Sequence, residues 1–85
     1  MPELSRFLGI VIYRNYREHG PAHFHGEYAE YEITVEIESG IVTGKFPRRA
    51  LNLVLEWYAL PKQELAEDWQ RARQKLPLRP IQPLE

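Results

Sequence analysis

An alternating run of residues from His23 to Glu38 constrains the fold of this chain more than any other feature. Polar and apolar residues alternate over 23–28 and again over 31–38. A period of two is typical of β-strands that bury one face. If Ala29 and Glu30 between the two segments form a tight turn, the segments pair as an antiparallel hairpin. The sequence therefore predicts two strands whose opposite faces differ sharply in polarity.

The register of this predicted hairpin gathers ionisable side chains on one face. A two-residue turn places Tyr28 opposite Tyr31, Phe24 opposite Val35, His25 opposite Thr34 and His23 opposite Glu36. Residues two apart on a strand share a face, so two imidazoles and three carboxylates come together. The residues of this polar face are His23, His25, Glu27, Glu32 and Glu36. Of the surfaces that the sequence predicts, this face is the richest in side chains that can carry out chemistry.

The other segments complete a prediction of an α+β protein with four strands followed by two helices. The first strand is apolar on both faces, and its Gly9 indicates a bulge or a close backbone approach. Pro47 suits the first position of a helix that is apolar nearly all round, whereas the last helix has a single apolar stripe. We expect a mainly antiparallel sheet with both helices on one face, in the order ββββαα. The predicted elements are strands over about 7–16, 23–28, 31–38 and 41–46, helices over about 48–60 and 62–75, and an extended tail over 76–85.

The tail has a regular spacing of its own. Its prolines recur every third residue, and so do Leu78, Ile81 and Leu84. Polyproline II has three residues per turn, so the tail is predicted to present one apolar edge to a groove, either of this chain or of a partner.

Composition restricts the class of protein. A chain of 85 residues is predicted to form one domain, 1–85. The net charge of −1 favours no particular partner, and the absence of cysteine excludes disulfides and thiolate zinc sites. No segment is long enough to span a membrane, and the N-terminus does not resemble a signal peptide. We therefore expect a cytoplasmic protein with no membrane partner.

The polar face admits two chemistries and one plainer interpretation. His23 and His25, with Glu27 or Glu36, are candidate ligands for zinc, iron or manganese. His19, His23 and His25 are also candidates for metal-free acid–base cleavage of RNA. Against this, a face rich in glutamates should repel a phosphate backbone. The plainer interpretation, that the histidines pair with glutamates on a sheet surface and His19 is a solvated loop residue, is favoured.

Other residues are candidates for contact with a partner or a phosphate. Arg48 and Arg49 oppose the dipole at the start of their helix, which invites an explanation. Three explanations are open: the arginines pair with Glu36 or Glu38, they bind a phosphate, or they contact an acidic partner. Pairing with the glutamates is favoured. Trp69 either packs inward or anchors an interface. The candidates for partner or phosphate contact are Arg48, Arg49, Trp69, Leu78, Ile81 and Leu84.

Several motifs along the chain resemble those of the bacterial family called domain of unknown function 4160. The residues that carry the resemblance are Pro2 with Ser5-Arg6-Phe7, Gly9-Ile10-Val11-Ile12-Tyr13, Pro21-Ala22-His23-Phe24-His25, Pro47-Arg48-Arg49-Ala50-Leu51 and Leu55-Glu56-Trp57. They cover almost the whole chain. The family commonly has a second proline where Ala22 stands and a glycine near Ala29-Glu30.

The resemblance implies a genomic context but does not imply an enzymatic reaction. Members are often found beside a second small protein, of the domain of unknown function 2442 family, in what looks like a toxin–antitoxin or regulatory module. The resemblance carries over no catalytic residue and no established cofactor. We therefore expect a non-enzymatic interaction module that binds a protein from a neighbouring small gene or a second copy of itself. The alternatives are a metal-dependent hydrolase or ribonuclease centred on His23 and His25, and a nucleic-acid-binding transcriptional regulator, for which the sequence has no helix-turn-helix motif or basic face.

Overall fold

The computed structural model describes residues 3–15 and 19–84, which form one antiparallel sheet followed by two helices. Each strand pairs with its neighbours in sequence, in the order β1-β2-β3-β4-β5. The α+β class and the order of sheet before helices are as predicted, but the sheet has five strands instead of four. The strands are β1 (Glu3–Phe7), β2 (Ile10–Tyr13), β3 (His23–Tyr28), β4 (Tyr31–Glu36) and β5 (Val42–Lys45), and the helices are α1 (Arg48–Tyr58) and α2 (Lys62–Arg73).

The extra strand is β1, which lies almost entirely before the predicted first strand and forms a hairpin with β2. β1 and β2 pair with Phe7 opposite Ile10, so Leu8 and Gly9 form the turn between them. Both turn residues have positive φ, 49° and 82°, as a type I′ hairpin turn requires. The prediction of one strand over 7–16 is wrong because apolar residues continue through the turn and hide it. Tyr16, the predicted last residue of that strand, lies outside the described residues.

The second hairpin has the predicted register. His23 lies opposite Glu36 and Tyr28 opposite Tyr31, with a two-residue turn in which Ala29 has a φ of 52°. β4 ends at Glu36 instead of residue 38, because the amide of Gly40 donates to the carbonyl of Glu36 and closes a turn. The polar and apolar faces of β3 and β4 are thus matched across the hairpin.

α1 covers one face of the sheet. Its buried residues are spaced by about one helical turn, at Ala50, Val54 and Trp57, and they pack against the buried side chains of the strands. The ring of Phe24 lies 5.6 Å from that of Trp57. The helix ends at Tyr58, before the predicted residue 60, since the residue preceding a proline disfavours helical backbone. The strand residues of the core are Leu4, Phe7, Ile10, Ile12, Phe24, Ile33 and Val35.

α2 packs its predicted stripe inward but ends at Arg73 instead of residue 75. Leu65, Trp69 and Ala72 are buried, as is Asp68. Lys75 has a φ of 59° and its amide donates to the carbonyl of Ala72, while the amide of Leu76 donates to the carbonyl of Arg71. This pair of bonds is a Schellman motif, which ends the helix before Leu76 can join the stripe.

The tail fills a groove of its own chain. The amide of Ile81 donates to the carbonyl of Leu4 at 2.7 Å, and the indole Nε1 of Trp57 donates to the carbonyl of Gln82 at 2.9 Å. The side chain of Ile81 is 4% exposed, and Leu78 and Leu84 pack against the core. The apolar edge predicted from the proline spacing is therefore used, at least in part, by the chain itself.

Candidate functional site

The face of the sheet opposite α1 carries the residues that the sequence brings together. Alternation along β2, β3 and β4, with the observed register, places seven polar side chains on this face. We call this surface the histidine face: Tyr13, His23, His25, Glu27, Glu32, Thr34 and Glu36. Tyr13 was not among the predicted site residues, although its alternation with the apolar Ile10 and Ile12 along β2 carries that signal.

A row of aromatic rings runs across the histidine face. The ring of Tyr13 stacks on that of His25 at 4.9 Å between centroids, with 12° between the planes. The ring of His23 lies 5.2 Å from His25 on one side and 5.2 Å from Trp69 on the other. The guanidinium of Arg14 lies over the ring of Trp69, 3.9 Å from its centroid. Neighbouring rings therefore hold both imidazoles and restrict them to few rotamers.

The contacts of His23 fix its tautomer. Its Nδ1 lies 2.9 Å from the carbonyl oxygen of Pro21. A carbonyl oxygen only accepts hydrogen bonds, so Nδ1 carries the proton and donates. The neutral ring therefore has its lone pair on Nε2, which is the arrangement of a proton acceptor or a metal ligand.

Glu32 joins the other imidazole to a phenol. The hydroxyl of Tyr13 donates to Oε1 of Glu32 at 2.5 Å, and Nδ1 of His25 lies 3.7 Å from the same oxygen. The side chain of His25 is 13% exposed, whereas that of Glu32 is 57% exposed. The carboxylate of Glu32 thus lies beside both rings and is hydrogen-bonded to Tyr13, because 3.7 Å to His25 is longer than a hydrogen bond.

The end of the histidine face is concave. A cleft of about 210 Å³ is lined by polar and apolar residues of the hairpin and its surroundings: Pro21, His23, Thr34, Glu36, Ile41 and Thr43. Ile41 is 62% exposed. The cleft offers an imidazole, a carboxylate and two hydroxyls to a polar group.

The candidate metal ligands His23, His25, Glu27 and Glu36 lie on one face of the sheet. Across 3–15 and 19–84, no group of three or more histidine, aspartate or glutamate side chains is arranged to hold an ion. His23 and His25 meet edge to face instead of converging on one point. His19 is exposed in the loop before Pro21.

The predicted partner contacts divide into exposed and buried residues. Arg48 and Arg49 are exposed, and within the described residues neither forms the favoured ion pair with Glu36 or Glu38. Trp69 and Ile81 are each 4% exposed and belong to the core of the chain. Of the six candidates, the two arginines are therefore exposed, and Leu78 and Leu84 are half-buried.

Among the described residues, two ionisable ones that the sequence did not single out are buried outside the histidine face, Arg14 against the ring of Trp69 and Asp68 on α2. Asp68 is 2% exposed, and its Oδ1 accepts a hydrogen bond from the amide of Arg79 at 2.8 Å. Burial raises the pKa of Asp68, an effect that the amide of Arg79 and the charge of Arg71 oppose. The burial of Asp68 was missed because charged residues at such positions are usually solvated. Its position beside Trp69 on α2 was the one sequence signal for that burial.

Comparison with known proteins identifies the family. The family model described as Domain of unknown function (DUF4160) matches residues 9–70, so the chain belongs to this family. No curated protein and no solved structure shows a significant match. Within the described part of the chain, neither helix is long and apolar enough to cross a membrane.

Proposed function

We propose that this member of the DUF4160 family is a small bacterial protein-binding module, and that the histidine face is its interface. The observation that carries the proposal is the make-up of that face. Its middle is held rigid by the stacked rings of Tyr13 and His25, with Tyr13 5% exposed, and its accessible part carries the carboxylates of Glu27, Glu32 and Glu36. A rigid face with several carboxylates can hold a partner through charge-assisted hydrogen bonds.

The charges on the face indicate the chemistry of the partner. The carboxylates of Glu27 and Glu32 stand opposite each other on neighbouring strands, and Glu36 lines the cleft beside His23. A partner surface bearing lysine or arginine would relieve the repulsion between these carboxylates and add charge-assisted hydrogen bonds. We propose the small protein of a neighbouring gene as this partner, in a toxin–antitoxin-like or regulatory pair that acts in the cytoplasm.

Blocking the centre of the face tests the proposal. Thr34 lies between His25 on β3 and Thr43 on β5, so Thr34→Arg places a bulky cation in the middle of the interface. We expect the substitution to weaken binding to the co-expressed neighbouring protein by about tenfold or more, measured by titration calorimetry. Asn52→Arg, on the exposed side of α1, is the matched control and should bind as the wild type does.

Three outcomes would count against the interface. The first is that the two proteins do not associate. The second is that both arginine variants bind equally well. The third is self-association of the chain that Thr34→Arg abolishes, which would make a second copy the occupant of the histidine face.

A second candidate function is metal-free acid–base cleavage of RNA. The observation that favours it is the tautomer of His23, in which Nε2 is the basic nitrogen, together with the contact of its ring with a second imidazole, that of His25. One imidazole would accept the proton of a 2′-hydroxyl and the other would donate to the leaving oxygen. We expect His23→Ala to abolish cleavage of RNA by the purified protein and His19→Ala to leave it unchanged. Equal activity of both variants and the wild type would exclude this mechanism.

Metal-dependent hydrolysis and nucleic-acid binding have less support from the geometry of the histidine face. A metal-dependent hydrolase needs a third ligand near His23 and His25, and the described residues supply none in place. A nucleic-acid-binding regulator needs a basic surface, whereas the open sheet face carries three glutamates.

A further inference from the structure

A second cleft lies on the other side of the sheet, between the first hairpin and the start of α1. It has a volume of about 290 Å³, at the lower end of the size of small-molecule pockets. Its walls are the side chains of Leu8, Ile10, Tyr28 and Leu53. The cleft is therefore apolar over most of its surface and has room for a small organic group.

The hairpin turn builds one wall of this cleft in an unusual way. Leu8 is 63% exposed and has a φ of 49°, a conformation in which leucine is rare and asparagine or glycine is favoured. A Cβ at Gly9 would lie 3.2 Å from Cε1 of Tyr28, so the turn rests directly on that ring. The chain thus keeps a large apolar side chain exposed at a strained position, where it lines the cleft.

The lining of the cleft also contains a cation. Arg49 is the charged residue among those described in the lining, and within the described residues it forms no ion pair. α1 begins here after Pro47 without a side-chain cap and without an acidic residue in its first turn. Its first backbone bond joins the amide of Leu51 to the carbonyl of Pro47, so the preceding amides have no acceptor within the helix. The guanidinium and the positive end of the helix dipole both favour an anion.

We infer that this cleft binds a small apolar carboxylate, with its hydrocarbon part between Leu8, Tyr28 and Leu53 and its carboxylate against Arg49. A neutral apolar molecule would leave the cation unpaired, and a bare anion would leave the apolar walls exposed. A short branched or aromatic carboxylic acid satisfies both parts. The histidine face lies across the sheet, so this site does not depend on the proposed protein interface.

The experiment is a titration of the full-length, ¹⁵N-labelled protein with isovalerate, followed by amide chemical shifts. We expect saturable shifts at Leu8, Gly9, Arg49 and Ala50, and none at Thr34 on the histidine face. Arg49→Gln should weaken binding by about tenfold or more, because it removes the charge-assisted hydrogen bonds. Arg48→Gln is the matched control: Arg48 is an exposed neighbour that does not line the cleft, and its loss should change affinity little.

Two further ligands separate the parts of the proposal. Isovaleramide has the same shape without the charge, and inorganic phosphate has charge without the apolar group. Both should bind at least about tenfold more weakly than isovalerate. Equal binding of isovaleramide, equal binding of phosphate, equal losses in the two arginine variants, or the absence of saturable shifts would each overturn the inference. The amide spectrum of each variant shows that it is folded.

Discussion

Gly44→Ala should destabilise the protein by forcing β5 away from β4. Gly44 has a φ of 109°, and a Cβ there would lie 2.6 Å from the carbonyl oxygen of Glu32 and 3.1 Å from Cα of Ile33. Both atoms belong to the backbone of β4, so no side-chain rotation relieves the contact. The strained backbone costs about 1–3 kcal/mol, and each ladder bond lost about 0.5–1.5 kcal/mol. We expect the free energy of unfolding to fall by about 2–4 kcal/mol.

Urea unfolding followed by tryptophan fluorescence measures this loss. Trp57 and Trp69 are 1% and 4% exposed, so their emission reports on the core. The matched control is Gly20→Ala, where the nearest atom to an added Cβ is 4.0 Å away, and its effect should be under about 0.5 kcal/mol. A Gly44→Ala variant as stable as the control would refute the register of β4 and β5, and with it the shape of the cleft beside His23.

Two further predictions concern the tail and the buried carboxyl of Asp68 on α2. Trp57→Phe removes the donor to the carbonyl of Gln82 and part of a buried ring, so it should cost about 2–4 kcal/mol in urea unfolding and speed amide exchange at Ile81. Gln82→Ala keeps that carbonyl and should cost little, and equal effects would contradict the tail's docking. Burial raises the pKa of Asp68 above its ordinary 3.8, so the folded state favours the protonated carboxyl. The stability that this preference contributes is present below pH 3.8 and is lost as the pH rises through the pKa of the folded state. Asp68→Asn stays neutral, so it should match the wild type near pH 3 and have the larger free energy of unfolding at pH 7. A constant difference between the two proteins across this range would refute the assignment.

Where local pattern and pairing agree, the sequence is enough to predict the structure. Polarity alternates without interruption along β3 and β4, and a shift of one residue would bury glutamates, so only one register suits both faces. The histidine face follows from that register. The first hairpin shows the opposite case. Leu8 continues the apolar pattern through the turn, and a leucine does not indicate the positive φ that the turn requires.

The interactions that sequence reasoning missed are long-range. The burial of Asp68 depends on the amide of Arg79, which reaches it only after the chain has turned at Lys75. The groove that holds Ile81 likewise forms from the carbonyl of Leu4 and the core beneath it. Spacing within the tail shows that it has an apolar edge, but the position of its partner is set by the folded sheet.

The central claim, that the histidine face binds a protein partner, is tested most directly by mapping the interface in solution. Cross-saturation from the unlabelled neighbouring protein to the deuterated, ¹⁵N-labelled chain reports which amides lie against it. We predict attenuated signals at Tyr13, His25 and Thr34 and unchanged signals at Asn52 and Glu56, which are on the exposed side of α1. Attenuation confined to α1, with the signals of the histidine face unchanged in a stable complex, would contradict the account.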